Sequence, residues 1–221
     1  MLLKRGGAGH IGLEEVQAFN TTRPILLFIP DISGFTNFIK NTDVAISKKF
    51  THQLLEVILD SNLLNFKVAE IQGDAIFFYS FGPPPCITKL ECQVKKTFLD
   101  FQKALHSIME KNTLYPLSLK MVVHYGEVSA TEVKGIPKLL GTDIILAHRL
   151  LKNNIKSNEY ILLTDSYLKT QDTRLVNKSF LWGKYKKGKK SYDYIGQVHY
   201  NYVCLSPLKE KMFGAPAYVG T

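Results

Sequence analysis

The chain has 221 residues, 45% of them hydrophobic and 11% aromatic, and carries a formal net charge of +9. That composition excludes a disordered chain, and the length suits one generous domain with a substantial core. No stretch reaches the roughly 18 consecutive apolar residues of a membrane span, so no membrane partner is expected.

Residues 1–22, which include the patch Gly6-Gly-Ala-Gly9, read as a flexible extension. Met1-Leu-Leu-Lys-Arg lacks the apolar core of a secretory signal, so a cytoplasmic location is expected. Leu26–Ile29 is a short apolar run that predicts a buried strand ending at Pro30. Asp31 then falls at the strand end, and Gly34 opens a loop toward a helix. Thr42 or Asp43 can cap a helix in which Ile46, Phe50, Leu54, Val57 and Ile58 recur at helical spacing. Phe66–Ile71 and Ala75–Tyr79 predict two strands joined at Gly73-Asp74. Pro83-Pro84-Pro85 breaks the chain. A second helix is expected over Ile87–Glu110, burying Leu90, Val94, Phe98, Phe101, Leu105 and Ile108. Leu117–Val123 reads as a strand that His124–Val128 continues or turns. Thr142 opens a shorter helix to about Lys152, and Tyr160–Leu163 is another strand. Phe180–Leu205 alternates apolar and polar residues, a hairpin signature, with the basic run Lys184–Lys190 at its exposed tip.

The order β-α-β-β-α-β is the split ferredoxin-like arrangement. It predicts an α+β domain over 23–208 with helices on one sheet face, an additional C-terminal β-hairpin, and a tail over 209–221.

A lone Asp at a strand end is usually a turn residue or a helix cap. Two of them, on strands that pair in one sheet, converge. With loop carbonyls such a pair suits Mg²⁺ or Mn²⁺, and the amides of Gly34, Phe35 and Thr36 can face phosphate oxygens. Cys86, Cys92 and Cys204 form no close pair, and an odd count makes a poor disulfide framework. Cys92 and Cys204 read as small core residues, and no His/Cys cluster has the spacing of a zinc site. The basic run reads as a solvated loop; no nucleic-acid module accompanies it, so no nucleic-acid partner is expected. His124 reads as a satisfied core or interface histidine, His148 as packing or exposed, and Trp182 as a base-stacking ring or an anchor for the terminal hairpin.

Four segments, in order, resemble a known family. Phe28-Ile-Pro-Asp31-Ile-Ser-Gly-Phe-Thr36 and Gly73-Asp74-Ala75 resemble the two metal-binding motifs of class III adenylate and guanylate cyclases. Val122-Val-His-Tyr-Gly126-Glu-Val128 is similar to their central strand, and Gly141-Thr-Asp-Ile-Ile-Leu-Ala147-His-Arg149-Leu150 to their Gly-x-x-Val-Asn-x-Ala-x-Arg helix. The match is closer still to an uncharacterised bacterial group of cyclase-like proteins. The resemblance implies conversion of a nucleoside triphosphate to a 3′,5′-cyclic nucleotide and pyrophosphate, in a homodimer with two Mg²⁺ or Mn²⁺ ions per site. It implies that Asp31 and Asp74 hold the metals with the Ile32 carbonyl, that Gly34, Phe35 and Thr36 cradle phosphates, and that Arg149 stabilises transition-state charge from the other copy. Glu70 matches the position where guanylate cyclases carry a glutamate, so GTP is the favoured substrate, with a pyrimidine triphosphate as the alternative. Lys138 takes the approximate place of the second base-reading residue, able to pair with Glu70 or to donate to a base carbonyl. Ile145 replaces the family's transition-state asparagine. Ile195 replaces its triphosphate lysine, for which Lys189 or Lys190 can substitute. These departures imply the alternative, a nucleotide- or metal-binding or dimerisation module that keeps the cyclase fold without turnover.

Overall fold

The computed structural model describes residues 22–109, 116–134 and 136–213. The N-terminal extension expected over 1–22 lies outside them as far as residue 21. The elements are β1 (Thr22–Ser33), α1 (Phe35–Asn41), α2 (Val44–Asp60), β2 (Lys67–Gln72), β3 (Ala75–Phe81), α3 (Ile87–Met109), β4 (Ser118–Val133) and β5 (Ile136–Leu140). After them come α4 (Thr142–Leu150), β6 (Tyr160–Thr164), α5 (Asp165–Leu168), α6 (Thr173–Val176), β7 (Lys186–Tyr192), β8 (Gly196–Cys204) and α7 (Ser206–Phe213).

The strands form one eight-stranded sheet in the order β2-β3-β1-β4-β6-β8-β7, with β5 paired to β4. Strand β1 lies inside it, antiparallel to both β3 and β4. Its side chains alternate between two cores, as a period of 2 demands. Leu26 and Phe28 join the core beneath α2 and α3; Ile25, Leu27 and Ile29 join the core beneath α4. The first core holds the stripe Leu90, Val94, Phe98, Phe101 and Leu105 of α3, all buried, at the spacing the sequence shows.

Asp43 is the cap of α2: its Oδ1 accepts from the amides of Ala45 at 2.8 Å and Ile46 at 3.2 Å. Ile46 itself stays 40% exposed, and Ser47 takes the buried position beside Phe50, Leu54 and Ile58.

Several expectations are corrected. Helices cover both sheet faces, because α4 lays Leu146, Ala147 and Leu150 against Val122 and Leu162 on the face opposite α2 and α3. Asp31 is not at a strand end, since β1 runs on to Ser33. The basic run is not a hairpin tip: Lys186–Lys190 forms most of β7, and the turn falls between Tyr192 and Gly196. Gly188 sits there because it faces Tyr200, whose ring atoms would lie 2.3 Å from an added Cβ. Cys92 is exposed, two residues after Leu90 and therefore off the buried stripe of α3, and Cys204 is half-buried. The chain is still helical beyond residue 209, because α7 continues to Phe213 and Lys209 reaches Glu159 at 3.0 Å.

Candidate active site

Asp31 and Asp74 come together through register. Asp31 pairs with Ala75 across β1 and β3, and the Ile32 amide donates to the Asp74 carbonyl at 3.2 Å. Gly73 makes this hairpin turn at φ 62°, a left-handed conformation that glycine adopts without strain. Asp74 is pushed up to about 7, by burial first and by the Asp31 charge second. Asp31 is 8% exposed and meets Lys120 Nζ at 3.0 Å. That ammonium also donates to the Leu151 carbonyl at 3.2 Å.

The pair opens into a cleft of about 730 Å³, within the range of small-molecule sites. One wall is Ile32–Asn37, where β1 turns into α1. Gly34 has φ 85°, and an added Cβ would meet the Pro116 carbonyl oxygen at 2.6 Å, so only glycine fits this turn. The opposite wall is Lys152, Asn153, Ser157 and Asn158, after α4. Among the described residues no group of three or more His, Cys, Asp or Glu has the arrangement of a metal site. The chemistry of the pair nevertheless fits a divalent cation: burial and the Asp31 charge disfavour a second bare negative charge at Asp74, and a cation relieves both. Mg²⁺ characteristically takes one or two carboxylates and completes its shell with water and substrate phosphates.

Of the remaining residues singled out in the sequence, His148 lines this cleft, and Glu70, Lys138, Arg149, Ile145 and Ile195 do not. Glu70, on β2, is paired with His148 Nε2 at 3.2 Å and not with Lys138. Lys138 lies on β5 opposite Thr131, far along β4 from Lys120. Arg149 donates from Nη1 to the Asp193 carbonyl at 2.6 Å, at the tip of the terminal hairpin. Ile145 is 52% exposed on α4. Ile195 packs against the core under α4. Lys190 bonds the Lys152 carbonyl, and neither it nor Lys189 lines the cleft.

His124 is a satisfied core histidine, 2% exposed. Its Nε2 meets Asp143 Oδ1 at 2.7 Å, and its Nδ1 lies 3.1 Å from Thr164 Oγ1. Asp143 also accepts from the Glu127 amide at 2.8 Å. Burial opposes its ionisation, but those hydrogen bonds win and hold its carboxyl below the usual range. A Cβ on Gly126 would fall 2.2 Å from the Asp143 carboxyl carbon. Gly126→Ala is therefore expected to break this network and cost on the order of 3 kcal/mol, measured by denaturant unfolding; an unchanged midpoint would show that Asp143 moves aside freely. Trp182 is an anchor: its Nε1 donates to the Cys204 carbonyl at 3.1 Å, and its ring meets Phe180 edge-on at 5.1 Å.

Sequence reasoning missed Lys120, the pairing of Glu70 with His148, and the wall after α4. Lys120 carried a signal, being the one cation in the apolar strand Leu117–Val123. His148, one residue before Arg149, carried none.

Residues 51–160 match a family model described as "Protein of unknown function (DUF2652)". The chain is 33% identical over 123 residues to the "Uncharacterized protein Rv2561/Rv2562" of Mycobacterium tuberculosis, covering 51% of this chain and 56% of that one. The chain thus spans little more than half the length of that relative. Among solved structures it is similar to the guanylyl cyclase Cya2, with a TM-score of 0.64 at 14% identity over 83% of this chain and 92% of that one. The adenylyl cyclase CyaB from P. aeruginosa superposes with a TM-score of 0.60 at 14% identity, over 83% and 94%. The guanylate cyclase domain of RhGC from Catenaria anguillulae, solved in complex with GTP, gives 0.56 at 15% identity, over 83% and 97%. At these identities the likeness speaks for architecture, and the chain has the fold of a class III nucleotide cyclase catalytic domain.

Proposed function

We propose that this protein is a divergent class III-like nucleotidyl cyclase that converts a nucleoside triphosphate, GTP in preference, to a 3′,5′-cyclic nucleotide and pyrophosphate. The observation that carries this reading is the meeting of Asp31 and Asp74 at the head of a cleft of nucleotide size.

Asp31 and Asp74, with the Ile32 carbonyl, would hold two Mg²⁺ or Mn²⁺ ions. Such ions, when bound, acidify the ribose 3′-hydroxyl and neutralise the triphosphate. The chain's own residues do the rest. The amides of Gly34, Phe35 and Thr36 and the ammonium of Lys120 hold phosphate oxygens. The 3′-hydroxyl gives up its proton to water, its oxygen forms a new bond to the α-phosphorus, the bond from that phosphorus to the bridging oxygen breaks, and pyrophosphate leaves. Arg149 stabilises the charge that develops. Because it points away from its own cleft, it would be supplied by a second copy in a head-to-tail homodimer. Strand β2 supports that assembly: it is an edge strand exposed along its whole length, with Val68 44% and Ile71 49% accessible.

Ile145 favours a second reading. An exposed aliphatic side chain at the family's asparagine position donates no hydrogen bond, and the loss of one such donor typically costs on the order of 10²–10³ in rate. On that reading the chain binds nucleotide without turning it over. Incubating the purified protein with each of the four nucleoside triphosphates and Mn²⁺, then resolving products by mass, separates the two. Cyclic GMP and pyrophosphate in equal amounts are expected. Saturable Mn²⁺–GTP binding with no product over hours would establish the non-catalytic module.

A further inference from the structure

Glu70 lies on the outermost strand, with its side chain half exposed. A glutamate so placed loses considerable rotamer freedom when it binds a ligand, and this weakens any hydrogen bonds it makes. Two contacts remove that freedom in advance. The His148 Nε2 lies 3.2 Å from Glu70 Oε1. The same imidazole stacks on Phe77, ring centroids 4.1 Å apart and planes at 28°. Phe77 is 3% exposed and is the residue paired with Glu70 across β2 and β3. The histidine is thus pinned to the strand that neighbours the glutamate it holds.

We propose that His148 is a positioning residue for base recognition: held by Phe77, it fixes the Glu70 carboxylate so that both oxygens face the base. This rests on the reading of Glu70 as the guanine contact. The chemistry follows from which atoms remain free. Nε2–H is spent on one lone pair of Oε1, so a base meets two carboxylate acceptors and no donor. Guanine answers with N1–H and N2–H₂, whereas adenine presents the N1 lone pair and is repelled. Lys138, expected as the second base-reading residue, is not the partner Glu70 takes.

Competition against mant-GTP in Mn²⁺ tests this, using the α,β-methylene analogues of GTP and ATP, whose α–β bridge resists cleavage. The parent protein is expected to prefer the guanosine analogue by about tenfold or more, the scale of one bidentate base contact. His148→Ala should shrink that preference to nearly the value of Glu70→Ala. The double variant should be no worse than Glu70→Ala, because one residue acts through the other. His148→Gln, which keeps a donor, should retain most of the preference. Two results would overturn the inference. One is full preference in His148→Ala while Glu70→Ala loses it, which leaves Glu70 reading the base unaided. The other is equal weakening of both analogues with an unchanged ratio, the mark of a packing role. An unchanged ratio in Glu70→Ala would instead remove the base-reading assignment itself, and the role of His148 with it.

Discussion

Asp31→Asn and Asp74→Asn are each expected to lower Mn²⁺-dependent turnover by at least on the order of 10³, since each removes several kcal/mol of charge stabilisation at the reacting phosphate. Mn²⁺-dependent nucleotide binding should be lost with it, while the fold survives. Asp74→Asn is the cleaner variant, because it removes a carboxyl that burial and Asp31 already hold near 7 against an ordinary 3.8. Between those two values the unfolded chain has given up a proton that the folded chain keeps. Rising pH therefore destabilises the metal-free fold from about 4 to 7 through this group. The contribution is fully present below the ordinary carboxylate range and lost as pH passes 7. Asp143 and Glu159, both held below their ordinary range, act in the opposite sense, but their contribution is lost only in acid, so the windows separate. Melting temperature against pH should fall across that interval in the parent and lose this component in Asp74→Asn. Mn²⁺ must displace the same proton, so its affinity should climb by about tenfold per pH unit up to 7 and then level off. If both amide variants bind Mn²⁺–GTP as tightly as the parent, the two aspartates are turn residues and nothing more.

The parts of this arrangement that were legible in the sequence are the local ones. The apolar run before Asp31, the Gly73-Asp74 turn and the stripe of α3 are fixed by residues within a few positions of each other, and the structure has all three. The antiparallel pairing of β1 with β3 that brings the aspartates together was legible because the order of elements allows few topologies. What was not legible depends on register between distant strands or on how a helix crosses the sheet. Lys120 meets Asp31 only because β1 and β4 pair residue 31 with residue 120. His148 meets Glu70 only because α4 lies on the sheet face opposite α2 and α3, the face that Phe77 of β3 enters and that a one-sided helix layer leaves bare. Composition makes Lys184–Lys190 look like a tip, but the sheet order makes β7 an edge strand, with Lys187 and Lys189 exposed along it and Lys190 turned in to the Lys152 carbonyl; lysine is a habitual defence of exposed edges.

A mixture of two inactive variants, Asp31→Asn and Arg149→Ala, is expected to recover activity that neither has alone. In the single chain Arg149 bonds the Asp193 carbonyl and does not line the cleft that holds Asp31 and Asp74. If the arginine serves the partner's aspartates, each site of a two-fold dimer takes its carboxylates from one chain and its arginine from the other. Arg149→Ala alone should then lose on the order of 10²–10³ in rate, and Asp31→Asn alone at least as much. Mixed dimers place both lesions in one site and leave the other whole. Random exchange of equal amounts puts half of the molecules in mixed dimers, each with one working site, so about a quarter of the parent rate should return. The rate should rise with incubation time as subunits exchange, and dilution below the dimer dissociation constant should abolish it. An arginine acting within its own chain gives a different result: each mixed dimer then carries one lesion in each site, and the mixture stays as inactive as its components. That outcome, with the parent protein active, would exclude the head-to-tail assembly while leaving the role of the aspartates intact.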